Sequence, residues 1–178
     1  MKLRFYFCIV AFIFLLIKEN SVFSQQPIFN RVSPPEGTSW GLITGFTQDP
    51  QGYMWITLNG NGLYKYDGYQ FFRYLHDPQN PNSLASNAVE CVYADHHGII
   101  WIGTTSLGLD RLDPATGVFT NFANKAGDSE SLSDNMVTCI WEDHEGNFWF
   151  GTSAGLFRFD SKSFINVTKK GPWPKHFR

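Results

Sequence analysis

Hydrophobic and polar positions alternate with a period of two residues in separate parts of this chain. The segments lie at Ile43 to Gln48, Val89 to Ala94 and Val137 to Glu142, and the alternation is clearest in the last two. A period of two places successive side chains on opposite faces of an extended backbone, one of which is buried. Each segment is therefore predicted to be a β-strand.

A nearly identical motif follows each of these segments. It consists of an Asp, a Gly three residues later, and a Trp three residues after the Gly. The Asp can accept hydrogen bonds from a turn and the Gly can take a positive φ, so the motif predicts a hairpin that leads into a second strand. The copies are Asp49, Gly52 and Trp55; Asp95, Gly98 and Trp101; and Asp143, Gly146 and Trp149. Equivalent placement in every copy favours packing over sugar stacking as the role of the Trp residues.

Two further strand-like segments complete each repeat. They follow Gly-containing turns and are predicted at 63–67 and 69–74, at 109–113 and 118–122, and at 156–160 and 164–167. The repeated Trp residues are 46 and 48 residues apart, which matches the roughly 40 to 50 residues of one four-stranded propeller blade. The sequence therefore predicts an all-β fold of three four-stranded antiparallel β-propeller blades, which make an incomplete propeller.

The segments between the blades repeat as well. Asn82 to Val89 aligns without a gap with Glu130 to Val137, and each contains a single Leu among polar turn-forming residues. Leu84 and Leu132 are therefore predicted to plug the space between adjacent sheets. These alignments set the blades at 41–81, 82–129 and 130–168, followed by an irregular C-terminal tail at 169–178.

The first 24 residues have the pattern of a signal peptide. Basic residues precede a run of 13 apolar residues from Phe5 to Ile17, and Val22-Phe23-Ser24 offers a cleavage pattern before Gln25. The run is shorter than the roughly 20 residues that span a bilayer. Cleavage and export to the periplasm are therefore favoured over a retained membrane anchor.

Residues 25–40 form a separate N-terminal segment. Phe29 to Val32 could supply an outer strand that completes a distant blade, a closure known in propellers. Pro34, Pro35 and Gly37 oppose a strand in the residues that follow. The segment is therefore a candidate closing strand.

Composition narrows the classes of partner. Fourteen basic and 16 acidic residues leave a net charge of −2, which gives no general attraction to nucleic acid or to an anionic membrane.

Cys91 and Cys139 occupy the same place in neighbouring repeats, so a bond between them would need their Cα atoms closer than about 7 Å. Two buried free thiols are predicted in preference to a disulfide.

Several local patterns suggest other chemistry. His96, His97 and His144 lie beside motif Asp residues, but equivalent turns of different blades are expected to be well separated. The Asp-x-x-Gly turn also lacks the dense carboxylates of a calcium loop. Gly60-Asn-Gly62 opens a strand instead of a phosphate-binding helix, and the glycosylation pattern Asn166-Val-Thr168 has little meaning in a bacterial chain. No catalytic, cofactor-binding or metal-binding residue is therefore predicted.

The run from Asn135 to Asp160 resembles the two-component regulator propeller repeat. It reads Asn-x-Val-x-Cys-Ile-x-Glu-Asp-x-x-Gly-x-x-Trp-x-Gly-Thr…Gly-Leu-x-Arg-Phe-Asp. The resemblance extends over the mature region, which is similar to the periplasmic sensor region of Bacteroidetes hybrid two-component sensor histidine kinases. It implies oligosaccharide sensing, with the signal passed through a connector and a membrane helix to a kinase and a phosphorelay. Other outputs, such as cyclic-dinucleotide synthases, can follow the same kind of sensor.

The chain is short for that family. Three blades are fewer than the four to eight of a closed propeller, and the tail lacks the Ser-Leu linker of a further blade. We therefore expect a truncated fragment without kinase residues and without membrane contact by its mature part. Its expected partners are an oligosaccharide and the remaining blades, connector and kinase of a longer parent. Open blade edges also predict self-association and poor solubility of the isolated chain.

Three functions are consistent with these features. An extracytoplasmic ligand sensor is favoured over a propeller-type lyase or glycosidase, which needs an acidic or His cluster at the central channel. A non-functional remnant is the third alternative. If the chain is a sensor, the loops after the Trp strands form its ligand-binding rim, with the candidate residues Asn59, Asn61, Thr105, Ser106, Ser153 and Ala154.

Overall fold

The structure, a computed structural model, describes residues 30–35 and 40–168. The chain divides into two compact units, Met1–Ser33 and Pro34–Arg178. In the first unit, residues 30–33 are exposed and irregular. Residues 30–32 are not in a strand among the described residues, and the candidate closing strand, which would complete a distant blade, stays a prediction. Phe29, the predicted signal peptide and the C-terminal tail at 169–178 lie outside the described residues.

The part of the second unit that the structure describes consists of strands and turns. Its twelve strands are β1 (Ile43–Gln48), β2 (Met54–Leu58), β3 (Gly62–Tyr66), β4 (Phe71–Tyr74), β5 (Val89–Ala94), β6 (Ile100–Thr104), β7 (Leu109–Asp113), β8 (Val118–Phe122), β9 (Val137–Glu142), β10 (Phe148–Thr152), β11 (Gly155–Phe159) and β12 (Phe164–Asn166). They form three antiparallel four-stranded sheets, in the orders β1-β2-β3-β4, β5-β6-β7-β8 and β12-β11-β10-β9. The prediction of an all-β chain of four-stranded blades is confirmed.

The strand bounds follow the predicted ones closely, except at the start of β4. Tyr69 and Gln70, predicted to begin this strand, lie in a turn instead. The carboxylate of Asp67 accepts hydrogen bonds from the backbone N–H groups of both residues, at 2.8 Å each. An Asp side chain that holds two consecutive N–H groups leaves neither available for a sheet ladder.

Two hydrophobic clusters fill the spaces between the sheets. The first joins Trp55 and Leu63 of the first blade to Leu84 and Ile102 of the second. The second has equivalent members from the second and third blades, including Trp101, Leu109, Leu132 and Phe150. Leu84 and Leu132 are both 0% exposed, which confirms that they plug the inter-blade spaces.

Each linker is bonded to the outer strand of the blade that follows it. The N–H of Phe119 donates to the carbonyl of Asn82 at 3.0 Å, and the N–H of Phe164 donates to the carbonyl of Glu130 at 2.8 Å. These bonds hold the intervening leucine against the neighbouring sheet. The linker at 82–89 therefore belongs to the second blade, and the linker at 130–137 belongs to the third.

The prediction of two buried free thiols is right about the free thiols and wrong about their burial, since Cys91 is half-buried and Cys139 is exposed. Both cysteines are free, and Cys91 lies between the second and third blades, where its thiol donates to the carbonyl of Val137 at 3.5 Å. Burial raises the pKa of the Cys91 thiol to about 12. Cys139 is exposed, because it occupies the equivalent place on the free face of the third blade, against which the described residues pack no further sheet.

Candidate functional site

The motif Asp of each blade binds both its hairpin turn and the indole of its own Trp. The indole N–H donates to carboxylate oxygen Oδ2 at 2.8 Å for Trp55 and Asp49, 3.0 Å for Trp101 and Asp95, and 2.9 Å for Trp149 and Asp143. The other oxygen, Oδ1, accepts backbone N–H groups two and four residues later. The sequence indicated the turn contacts but not the indole bond.

These carboxylates have a structural role. Asp49 and Asp95 are 5% and 4% exposed, and both oxygens of each already accept hydrogen bonds. Burial alone would raise the pKa of Asp143, but hydrogen bonds from Trp149 and Asn147 outweigh it and hold the pKa at about 2. The lowered pKa makes Asp143 a weak proton acceptor, which argues against a role for it in acid–base catalysis.

The predicted rim residues lie at one end of the three sheets. They occupy the β2–β3 loop (Asn59, Asn61), the β6–β7 loop (Thr105, Ser106) and the β10–β11 loop (Ser153, Ala154). The inter-blade linkers reach the same end, where the N–H of Thr105 donates to the carbonyl of Ala88 at 3.0 Å. The structure thus gathers the candidates of each blade beside a linker.

The rim presents small polar groups. The hydroxyl of Ser153 donates to Asp134 at 2.5 Å, and this bond lowers the pKa of the Asp134 carboxyl. Asn61 accepts a hydrogen bond from the Arg73 guanidinium at 3.1 Å. Ser106 is exposed at the tip of its loop. Such groups offer both donors and acceptors to a polyhydroxylated ligand.

At the opposite end of the sheets, the Asp turns of neighbouring blades come close together. His96, in the turn of the second blade, has its ring Nδ1 at 2.5 Å from a carboxylate oxygen of Glu142 in the third. Both residues line a cavity of about 440 Å³ that also includes Asp143 and His144. The expectation that these turns are well separated is therefore wrong, because β5 and β9 pack against each other and bring the ends of their blades together.

A second cavity at this end, of about 300 Å³, lies between the first and second blades. Tyr53 and Lys65 line it from one blade and His97 from the other. The ammonium of Lys65 lies 3.7 Å from the centre of the Tyr53 ring, a cation–π contact. This contact holds the ammonium over the ring without neutralising its charge, and Asp113 of the second blade lines the same cavity.

A larger cavity, of about 640 Å³, separates the linker at 124–131 from β11 and β12. The second blade has a direct bond at the equivalent place, where the N–H of Ala85 donates to Asp110 at 2.8 Å. The third blade has Phe157 in place of Asp110 and Ser133 in place of Ala85, and both residues line the cavity. Sequence reasoning missed this space because it depends on differences between repeats that otherwise align.

Asp110 is the one carboxylate that is fully buried in the part of the chain the structure describes, at 0% exposure. Its oxygens accept hydrogen bonds from the backbone of Ala85 and from Asn121, the latter at 3.0 Å. Burial raises the pKa of Asp110 to about 6, against the lowering effect of these bonds. The residue fastens the linker to the blade.

Metal chemistry has no support in residues 30–35 and 40–168. No group of three or more His, Cys, Asp and Glu side chains there is placed to hold a metal ion. The His96 and Glu142 pair and the His144 side chain share a cavity wall without forming such a group.

The family model for the two-component regulator propeller matches residues 83–106 and 131–154. Each match runs from a linker through the Asp turn and the Trp strand of one blade. The second and third blades each match one repeat of that family. The bonded pairs of these two blades, Asp95 with Trp101 and Asp143 with Trp149, lie within the matched residues.

Solved structures support the same relationship. The extracellular domain of BT3049 from B. thetaiotaomicron, which is assigned as a hybrid two component system, is 28% identical with a TM-score of 0.71. The similarity covers 78% of this chain but only 20% of that domain. Virginiamycin B lyase from Staphylococcus aureus is 20% identical, with a TM-score of 0.53 over 74% of this chain and 43% of the lyase, a likeness of fold alone. No curated protein matches this chain significantly.

Within the described ranges, no helix is long and apolar enough to cross a membrane.

Proposed function

We propose that this chain is part of the extracytoplasmic sensor region of a hybrid two-component system. The observation that carries the proposal is the match of two blades to the regulator propeller family, supported by similarity to the extracellular domain of such a system. The chain spans about a fifth of that domain. Phosphorelay and kinase output are therefore proposed for a longer protein and not for these blades.

Within this role, the rim binds the ligand, and the ligand is an oligosaccharide. The hydroxyls of Ser106 and Ser153 and the carboxylate of Asp134 suit the hydroxyl groups of a sugar, which act both as donors and as acceptors. The position of the rim on loops carried by rigid sheets is the usual arrangement for recognition.

The contacts of the rim provide a route for signal transfer. The β6–β7 loop is bonded to the linker through Thr105 and Ala88, and the same linker carries Leu84 into the core between two blades. A ligand that moves this loop would therefore shift the packing between the blades. Such a rearrangement, passed to a connector, is the proposed signal.

The proposed exported location depends on the leader at 1–24. Expression in a bacterium of the same phylum, followed by N-terminal sequencing of the periplasmic protein, is expected to give Gln25 as the first residue. A membrane-bound product that still begins at Met1 would support the retained anchor instead.

Binding is tested by thermal-shift screening of the chain against a panel of oligosaccharides, followed by titration calorimetry. At least one sugar is expected to raise the melting temperature. The double variant Asp134→Asn/Ser153→Ala should weaken its binding by about tenfold or more, which is about 1.4 kcal/mol.

The matched control is Glu145→Gln, at the opposite end of the third blade. It is expected to leave the affinity unchanged. An equal loss in both variants would contradict a rim site, and the absence of any sugar effect would favour the remnant alternative. Release of a sugar or lyase product during the titration would show an enzyme.

A further inference from the structure

The third strand of each blade faces the segment that leads into that blade, and the three blades bridge this space differently. In the second blade, the carboxylate of Asp110 accepts the N–H of Ala85 at 2.8 Å. In the first, Tyr64 has the place of Asp110 in the strand register, and its ring lies 6.2 Å from that of Trp40. In the third, Phe157 has that place, and the cavity of about 640 Å³ separates the linker from the sheet.

The cavity leaves one backbone donor of the linker without the partner that its counterpart has. Ser133 has the place of Ala85 in the gapless alignment of the two linkers, and it lines the cavity. The N–H of Ala85 donates to a carboxylate, whereas the ring of Phe157 has no oxygen acceptor. Within the described ranges, neither the N–H nor the hydroxyl of Ser133 makes a hydrogen bond to another residue. Both groups are therefore available to a bound molecule.

The linker wall of the cavity is held in place by bonds of its own. The side-chain amide of Asn124 donates to the carbonyl of Leu132 at 2.7 Å, and the carboxylate of Asp128 accepts the N–H of Glu130 at 2.9 Å. The carbonyl of Glu130 in turn accepts the N–H of Phe164 in β12 at 2.8 Å. The cavity is therefore formed before any ligand enters, as small-molecule sites usually are.

One wall of the cavity is apolar and the other is polar. The strands β11 and β12 contribute Phe157, Phe164 and Ile165, and the linker contributes Lys125, Asp128, Glu130 and Ser133. Two carboxylates and one ammonium give this wall a negative charge, which disfavours an anionic ligand. The volume lies within the range of about 300 to 1,000 Å³ that is common for small-molecule sites.

We propose that this cavity binds a neutral mono- or disaccharide. Its C–H face packs against Ile165 and Phe164, and its hydroxyl groups face the linker. One sugar oxygen accepts the N–H of Ser133, as Asp110 accepts that of Ala85 in the second blade, and another hydroxyl donates to the Glu130 carboxylate. None of the rim candidates lines this cavity, so the proposal does not depend on the rim site or on the sensor role.

The test is proton–nitrogen correlation NMR of the full chain, titrated with a panel of neutral mono- and disaccharides. The amide signals at 129–133 are expected to shift and to saturate with at least one sugar. Glucuronate should bind at these amides at least about threefold more weakly than glucose, because its carboxylate is repelled by Asp128 and Glu130. The absence of a saturable shift at 129–133 with every sugar, or tighter binding of glucuronate, would overturn the proposal.

A matched pair of substitutions tests whether the cavity itself is the site. Glu130→Trp fills the cavity and should weaken binding at least about tenfold. Asn82→Trp makes the same change at the aligned position of the preceding linker, where Asp110 bridges the space, and should leave the affinity unchanged. Both positions are exposed, and melting curves show whether each variant is folded. An equal loss of affinity in the two folded variants would contradict the proposal.

A smaller change tests the polar wall without altering the shape of the linker. Ser133→Ala introduces the residue that the second blade has at this place, so the fold should accept it. Loss of the hydroxyl should weaken sugar binding by about threefold or more. An unchanged affinity would rule out the proposed contact with Ser133.

The double variant Asp134→Asn/Ser153→Ala separates this proposal from the rim site. It should leave the affinity measured at 129–133 unchanged, because neither residue lines the cavity. If only the proposed function fails, the wild type shows shifts at 129–133 and none in the rim loops. Shifts confined to the rim loops would overturn the cavity site and leave the rim site standing.

Discussion

Gly151 lies directly opposite Cys139 in the β9–β10 ladder, and a side-chain carbon added to Gly151 would meet the Cys139 sulfur. Gly103 and Cys91 have the same relationship in the second blade. The first blade inverts it, with Gly45 opposite Thr57. In each blade, one residue of this facing pair is a glycine, so only one side chain fills the space between the two strands. That side chain comes from the first strand in the second and third blades and from the second strand in the first blade.

Gly151→Ala is expected to destabilise the fold by about 1 to 3 kcal/mol, because overpacking forces neighbouring atoms apart. Adding Cys139→Ala should recover most of the loss, since the remaining neighbours of the new carbon lie at 3.6 Å or more. Urea unfolding of the two single variants and the double variant measures this coupling. Equal stability of the Gly151→Ala single and double variants would contradict the account.

Gly103→Ala should be destabilising in the same way but should not be rescued by Cys91→Ala. A carbon added to Gly103 would also lie 2.6 Å from the carbonyl oxygen of Val137, which belongs to the next blade. The backbone of a packed blade cannot move aside as a side chain can. Full rescue would show that the second and third blades are less tightly joined than the structure indicates.

Asp95→Ala is expected to cost about 1 to 3 kcal/mol, because it leaves the indole N–H of Trp101 and two turn N–H groups without their acceptor. Asp143→Ala should cost less, since Asp143 is only half-buried and water can replace the lost bonds. Chemical denaturation of both variants gives the comparison. A larger loss at Asp143 would show that burial does not set the cost.

The raised pKa of Asp110 predicts that the free energy of unfolding falls as pH rises. Its pKa is raised by burial to about 6, above the ordinary value of 3.8, so the folded chain holds this proton more tightly than the unfolded chain. The resulting stabilisation is complete below about pH 4 and is lost as pH rises through about 6. Relative to Asp110→Asn, the wild type should lose about 2 to 3 kcal/mol across this window. Unfolding at several pH values tests this, and a constant difference would be inconsistent with a buried neutral acid.

Leu132→Ala is expected to destabilise the fold by about 2 to 5 kcal/mol, because it opens a cavity between the second and third blades. The control is Leu107→Ala, in the β6–β7 loop at 45% exposure, which should change stability little. Thermal unfolding of both variants measures the difference. A small loss at Leu132 would mean that the linker leucine is not an essential plug.

The sequence was sufficient to predict the blades because each of their signals is local. The spacing of Trp55, Trp101 and Trp149 gave the repeat, and the alternation of apolar residues gave the strands. The linker leucines could be placed because both linkers align and each contains a single apolar anchor.

The sequence could not predict contacts that join blades or that depend on a difference between repeats. His96 and Glu142 are 46 residues apart, and their pairing follows from how closely β5 and β9 pack. The 640 Å³ cavity arises where Phe157 replaces Asp110. The exposure of Cys139 depends on what covers the last blade, which residue periodicity does not report.

The measurement that tests the central claim most directly is hydrogen exchange of the chain with and without a binding oligosaccharide. A sensor that recognises its ligand at the rim should gain protection in the loops at 59–61, 105–107 and 153–154 and in the linker segment at 134–136. The Asp turns at 96–98 and 144–146 should exchange at unchanged rates. Protection confined to those turns, or to the cavity beside the linker at 124–131, would contradict recognition at the rim.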